Sequence, residues 1–386
     1  MYEIKTMNNI ADSGLSILEG RGFTINNDAA DPVGLLVRSA KLHDMEFGKN
    51  LLAIGRAGVG TDNVPVERCT EDGIVVFNAA GGNAQAVVEL AVCSLVLASR
   101  DLMEGLLWAK SLAGHENAEA EVEAGKKAYV GPEIKGKTLG VIGLGNIGAQ
   151  IANTALALGM NVMGYDPYLS VEAAWRLSSS VKHAEDLGTI YRNSDYILVQ
   201  VHLTDATRGM LNADAFAQMK DGVRVINLAR GGLVDDDAML AAIASGKVAR
   251  YVTDFPSSKL IGTKSVVAFP HLGASTPESE EKCAVMAAQE LADYLENGNI
   301  RNSVNMPQLV LDRVGAARVC AIHENVPRVL NSFLDIIGEA NINVEHMQNK
   351  ARGSIAYTVI DVGSPIGEEL AQRLAAVPHV RRIRII

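Results

Sequence analysis

Three apolar runs in this chain end in a side chain that apolar runs do not ordinarily deliver. VRVINLA leads into Arg230, RYVT into Asp254, and SVVAFP into His271. Runs of this kind read as buried strands, and the residue just past a strand of an open α/β sheet stands where such folds bind ligands. A guanidinium there can grip a carboxylate through paired hydrogen bonds while one nitrogen touches a carbonyl oxygen. An imidazole titrates near neutrality and can take up or return a proton. Singly, each residue has a plain explanation: a surface arginine, a capping aspartate, a packed histidine. Together, on strand ends of one sheet, they form a set that binds a carboxylate, polarises a carbonyl and moves a proton. The two glycines after Arg230 clear space beside it.

A second stretch supplies a place for a cofactor. GLGNIG, Gly143 to Gly148, follows the apolar run TLGVI and opens the helical pattern AQIANTALALG. In that setting the glycines give a tight turn, a close approach to a pyrophosphate and close helix packing, and the helix start offers amide donors. Asp166 ends the next strand-like run, NVMGYD, at the distance where a carboxylate accepts from a ribose hydroxyl. A carboxylate there repels a 2′-phosphate, so NAD is expected rather than NADP.

Several elements must hold these residues in place. Residues 1 to about 80 alternate apolar runs (GLLVRSA, LLAIGRAGVG, GIVVFNAA) with turn signals, which reads as a parallel α/β unit. One long helical pattern, Asn83 to Lys110, is apolar almost all round in its first half, as a helix buried between two bodies is. The polar stretch that follows reads as an exposed excursion. From Thr138 the alternation of strand and helix describes a doubly wound parallel sheet. The C-terminal segments spell β-α-β-β-α-β, and VRRIRII reads as a half-exposed edge strand.

At 386 residues, 48% hydrophobic and 21% charged, the chain is expected to form two or three soluble globular domains. A net charge of -10 argues against nucleic acid as a partner. Cys69, Cys93, Cys283 and Cys320 lie far apart without metal-ligand spacing, so free thiols in a reducing, cytoplasmic setting and no metal are expected. No leader and no membrane-spanning run is read in the sequence.

INLARGGLVDDDAML and PHLGAST resemble signatures of the D-isomer-specific 2-hydroxyacid dehydrogenases, and GLGNIG with Asp166 fits that family's cofactor loop. LLAIGRAGVGTDNV, FNAAGGNAQAVVELA and IHENVPRVL resemble most the members that oxidise 3-phospho-D-glycerate and carry one C-terminal ACT domain. The resemblance implies an α/β fold of two doubly wound Rossmann-like parallel-sheet domains plus a C-terminal βαββαβ ACT domain. It divides the chain into a discontinuous substrate-binding domain (1–95 and 285–308), an NAD-binding domain (96–284) and a regulatory domain (313–386). Arg230 would orient the substrate carboxylate and keto oxygen, and His271 would take the hydroxyl proton. Arg56, Asn78, Gly81 and Gly82 would bind substrate, Arg56 through its phosphate. Gly143, Gly145, Asn146, Ile147, Gly148, Asp166, Leu228, Ala229, Asp254, Gly273 and Ala274 would join Arg230 and His271 around NAD. The implied reaction is the first step of serine biosynthesis, in a homodimer or homotetramer. Two alternatives stay open: another D-2-hydroxy acid as substrate, and a dinucleotide-sensing protein with degenerate catalysis.

The chain departs from the family in three places. After Asp254 the family has a glutamate that hydrogen-bonds the catalytic histidine, whereas this chain reads FPSSKLIG, with Ser257 or Ser258 near that position. Without that carboxylate the imidazole loses the group that would orient it and steady its charge. Lys259 and Lys264 are then alternative proton carriers, beside the plainer reading of both as surface lysines. In VQVHLT the family's histidine stands two residues before His202, which is read as structural. In the C-terminal domain His323, Asn325 and Asn343 occupy the family's L-serine contacts, but Arg328 replaces a glycine whose close backbone approach it would block. An effector domain and a purely assembling domain are both open on that evidence.

Overall fold

The computed structural model describes residues 2–386. The chain divides into two compact units, one formed by the segments up to Asn83 and from Pro277 onward, the other by Ala84–Thr276. The unit boundaries thus precede the helix Ala84–Ser99 and the helix Pro277–Asn297, where the sequence reading put residues 95 and 284.

The first unit holds two sheets. One is parallel, in the order β2 (Thr24–Ile25), β1 (Glu3–Met7), β3 (Gly34–Val37), β4 (Ala53–Arg56), β5 (Val75–Asn78). β3 and β4 are apolar and buried on both faces, as central parallel strands are. The helix Pro277–Asn297 packs against this sheet, and Gly55 makes the contact possible: a Cβ there would stand 3.1 Å from the Ala287 carbonyl oxygen.

The second sheet of this unit is antiparallel, in the order β14 (Val344–Arg352), β15 (Ile355–Val362), β13 (Ala317–Glu324), β16 (Val380–Ile385). With helices Val329–Glu339 and Glu368–Ala375 it is the expected β-α-β-β-α-β unit, and β16 is an edge strand. This sheet is tied to the rest of its unit by arginines on backbone carbonyls. Arg384 donates to Tyr294 and Leu295 at the end of the helix Pro277–Asn297. Arg318 donates to Asn297 and Leu311 while forming a fully buried, bidentate pair with Asp361 at 2.6 and 2.7 Å.

The second unit is built on a seven-stranded parallel sheet. Its order is β12 (Val266–Ala268), β11 (Val248–Thr253), β10 (Val223–Asn227), β9 (Tyr196–Val199), β6 (Thr138–Ile142), β7 (Asn161–Tyr165), β8 (Lys182–His183). The strand order reverses between β6 and β9, which makes their carboxyl ends the crevice where doubly wound sheets bind ligands.

The helix expected over Asn83–Lys110 is two helices, Ala84–Ser99 and Leu102–Ser111. The first is buried along most of its length within its own unit, whereas the second has no buried residue. The break falls at Asp101, whose carboxylate accepts from Arg250 at 2.9 Å and so caps no helix. Apolar periodicity alone does not register such an ion pair. Among the described residues no helix is long and apolar enough to cross a membrane.

Candidate functional site

In the second unit the glycine loop leaves β6 and starts the helix Asn146–Ala157. Gly143 has φ +93°, and a Cβ there would lie 2.4 Å from the Gln200 carbonyl oxygen at the end of β9. A Cβ on Gly148 would lie 2.0 Å from the Gly143 oxygen. Both positions need glycine for close packing. Gly145 differs, for nothing lies within 4 Å of its missing Cβ, and no side chain caps the helix it precedes. The first amides of the helix, at Asn146, Ile147 and Gly148, have no intrahelical acceptor and adjoin that open space. Asp166 braces the loop from β7, accepting from Leu144 N and Tyr168 N at 2.9 Å each. Each carboxylate oxygen keeps a second lone pair for a ribose hydroxyl. These residues fit a dinucleotide pyrophosphate and its adenosine ribose.

One side chain here has no sequence signature. Arg176 ends the helix Val171–Arg176, and its guanidinium reaches the Asn146 side-chain oxygen at 3.4 Å. Asn153 fixes this approach, donating to Arg176 O at 2.8 Å and accepting from Ser178 N at 2.9 Å. The contact spans 30 residues and belongs to no motif.

The structure brings Arg230, Asp254 and His271 to the ends of the adjacent strands β10, β11 and β12. Leu228 and Ala229 are buried, and the loop carrying them is knitted by the buried Asn227. The Asn227 amide donates to Arg230 O at 2.8 Å and accepts from Ala229 N at 3.1 Å. Sequence reasoning passed over Asn227 because it sits inside the apolar run, where one polar residue was the available signal.

Asp254 is buried, and its two oxygens accept from Leu272 N and Gly273 N at 2.7 Å each. Its carboxylate therefore grips the loop directly after His271. Gly273 is buried against that carboxylate and Ala274 is half-buried. His271 is exposed and has φ +56°, a left-handed conformation uncommon outside glycine and frequent at functional sites. Its ring packs on Phe255 with centroids 4.5 Å apart, and the Arg230 guanidinium carbon lies 5.7 Å from the same ring.

Lys259 pairs with Asp237 at 2.7 Å on the surface, the carboxylate pushing the ammonium pKa up. Lys264 is exposed on the turn before β12. Ser257 Oγ is buried without a hydrogen-bond partner, and His202 is exposed with its carbonyl accepting from Thr207.

In the first unit Arg56 and Asn78 are register partners at the ends of β4 and β5. Gly58, at φ +154°, leaves room for the guanidinium: a Cβ there would overlap Arg56 Nη1. Asn78 donates to Val59 O at 2.6 Å, which ties the two strand-end loops together. Gly81 has φ +92°, and Gly82 backs onto the Cys283 sulfur. Arg38, one strand along after β3, pairs with Glu280 and places a second guanidinium at this edge of the sheet.

The C-terminal residues are not gathered into one open site. His323 is buried, Nδ1 bonding Glu324 O at 2.7 Å and Nε2 bonding Thr358 Oγ1 at 2.8 Å; burial pushes its pKa down. Asn325 donates to Gly353 O at 3.2 Å, next to the β14–β15 hairpin. Asn343 donates to Glu345 at 3.1 Å beside the far end of β14, about 27 Å away at strand rise. Arg328 has φ +77°, the conformation for which a glycine is best suited.

Residues 106–273 match the family model described as D-isomer specific 2-hydroxyacid dehydrogenase, NAD binding domain. A D-3-phosphoglycerate dehydrogenase of Archaeoglobus fulgidus is 38% identical over 71% of this chain and 52% of that relative, so the chain spans about half its length. A hydroxypyruvate reductase of Thermotoga maritima is 38% identical over 67% of this chain and 83% of that relative. A solved structure of NAD+-bound 3-phosphoglycerate dehydrogenase from Entamoeba histolytica has the same fold over 80% of this chain and 99% of its own, with TM-score 0.64 at 24% identity.

Proposed function

The chain belongs to the D-isomer-specific 2-hydroxyacid dehydrogenase family, and on that premise we propose that it oxidises 3-phospho-D-glycerate to 3-phosphohydroxypyruvate with NAD. The observation that carries this reading is the placement of Arg230 and His271 against one ring, at the ends of strands that flank β11. Arg230 would hold the substrate carboxylate and lean on the C2 oxygen. His271 would take the C2 hydroxyl proton as the C2 hydride leaves with its electron pair, turning the alcohol into a keto group. Bound NAD supplies the hydride acceptor. Asp254 would act through the loop it grips, and Arg56 with Asn78 would meet the phosphate end of the substrate.

A second reading, turnover of an unphosphorylated 2-hydroxy acid, is favoured by the likeness to the Thermotoga maritima reductase. NADH formation from 3-phosphoglycerate, D-glycerate and D-lactate at mildly alkaline pH separates the two. Arg56→Ala should lower kcat/KM about tenfold or more with 3-phosphoglycerate, on the scale of one lost charged hydrogen bond, and leave D-lactate nearly untouched. Equal losses with both would point to the second reading.

We place the protein in the cytoplasm, in keeping with its free cysteines. A homodimer would cover Leu102, Met103, Leu106 and Leu107, 40–56% exposed around the second of the two helices. An L-serine effector held by Asn325 and Asn343 would need two C-terminal domains side by side, since one domain keeps them apart.

A further inference from the structure

We infer that Phe255 is a positioning residue for the proposed chemistry, one aromatic ring holding both the His271 imidazole and the Arg230 guanidinium; this rests on the dehydrogenase reading above. Strand order places it there. β11 lies between β10 and β12, so the residue leaving its end stands between Arg230 on one side and His271 on the other. The backbone at Phe255 is pinned by Thr253 Oγ1, which accepts from Phe255 N at 3.1 Å. A Cβ on Gly231 would sit 3.5 Å from Phe255 Cβ, so the Arg230 loop lies against the same residue. His271 meets the ring at 4.5 Å and 52°, and Arg230 at 5.7 Å.

The chemistry calls for such a group. When His271 accepts the hydroxyl proton it becomes an imidazolium against the ring that a second cation, Arg230, also approaches. A carboxylate would offset that charge, but among the described residues the histidines in ion pairs are His115 and His379. The π face of Phe255 presents the negative part of its quadrupole, which attracts cations and carries no charge that would compete for the substrate-binding arginine. The ring also fixes the imidazole plane, which has no hydrogen-bonded partner among the described residues to orient it.

The test is a series at position 255 that changes the ring's electrostatics while keeping its shape. Phenylalanines with one, two, three and five fluorines progressively weaken and then reverse the quadrupole. With 3-phosphoglycerate and NAD we expect kcat to fall stepwise along the series. Phe255→Leu should lose about three- to tenfold in kcat, the range of one cation–aromatic contact, and Phe255→Tyr should retain most activity. KM should move less than kcat, because the imidazolium forms only during turnover. A flat fluorine series, or a leucine variant equal to the parent, would overturn the inference.

A second measurement does not depend on turnover. NMR signals of the His271 ring protons, identified with His271→Asn, should carry a ring-current displacement that disappears in Phe255→Leu. If the parent oxidises no 2-hydroxy acid, the dehydrogenase reading fails by itself. The NMR comparison still judges Phe255, and unchanged His271 signals would sink its positioning role.

Discussion

Arg230 is held by its own backbone before any substrate arrives: Asn227 takes the Arg230 carbonyl, and the guanidinium donates to Ala229 O at 2.8 Å. Such preorganisation matters because a bidentate grip needs the planar fork in one orientation. Arg230→Lys keeps the charge and loses the fork, so kcat/KM should fall about tenfold to a hundredfold, the scale of one or two charged hydrogen bonds. A variant within about threefold of the parent would remove Arg230 from the mechanism. Asp166 has two duties, bracing Leu144 and Tyr168 while facing a ribose. Asp166→Ala should weaken NAD binding and narrow its preference over NADP, because ribose hydrogen bonds and phosphate repulsion are lost together. Isothermal titration with both cofactors measures this directly, and an unmodified protein that already prefers NADP would refute the assignment.

The helix Pro277–Asn297 carries a carboxyl that its surroundings do not want charged. Glu290 is 8% exposed, and burial pushes its pKa from near 4.5 up to about 7; Asn302 donates to Oε1 at 2.6 Å while Oε2 has no partner. A carboxyl raised in the folded state favours the neutral acid there. Its contribution to stability is fully present below the unfolded value near 4.5 and is lost as pH rises through about 7. The loss should reach roughly 3 kcal/mol above that range. Glu290→Gln mimics the neutral acid, so its melting temperature should gain on that of the parent as pH rises from 5 to 8. Parallel curves would mean that Glu290 stays ionised.

At this scale the sequence was informative wherever burial repeats with a regular period. The parallel strands, the glycine turn and the C-terminal β-α-β-β-α-β order could all be read from it. It was silent where one side chain meets another far along the chain. The Asp101–Arg250 pair at the junction of two helices and the His323–Thr358 hydrogen bond are of that kind. His323 shows the difficulty well, since residue type and motif position are the same for a ligand and for a satisfied core histidine.

Taken whole, the chain distributes its probes unevenly between its two units, and that makes their coupling measurable. Both tryptophans, Trp108 and Trp175, lie in the unit Ala84–Thr276. The buried Arg318–Asp361 pair lies in the other unit, where it joins the antiparallel sheet to Asn297 and Leu311. Truncating the arginine leaves Asp361 at 0% exposure without its cation and leaves those two carbonyls without their donor. Arg318→Ala should therefore destabilise the first unit by about 3–5 kcal/mol. Replacing both members, Arg318→Met with Asp361→Leu, should cost much less, because no buried charge is left alone. If the units unfold independently, calorimetry of Arg318→Ala should show one transition moving down while tryptophan fluorescence melts at the parental temperature. Coincident shifts by both probes would instead show that the two units unfold as one cooperative body. A double variant as unstable as the single one would mean that the pair acts through its backbone contacts, at Asn297, Leu311 and Val314, rather than through its charges.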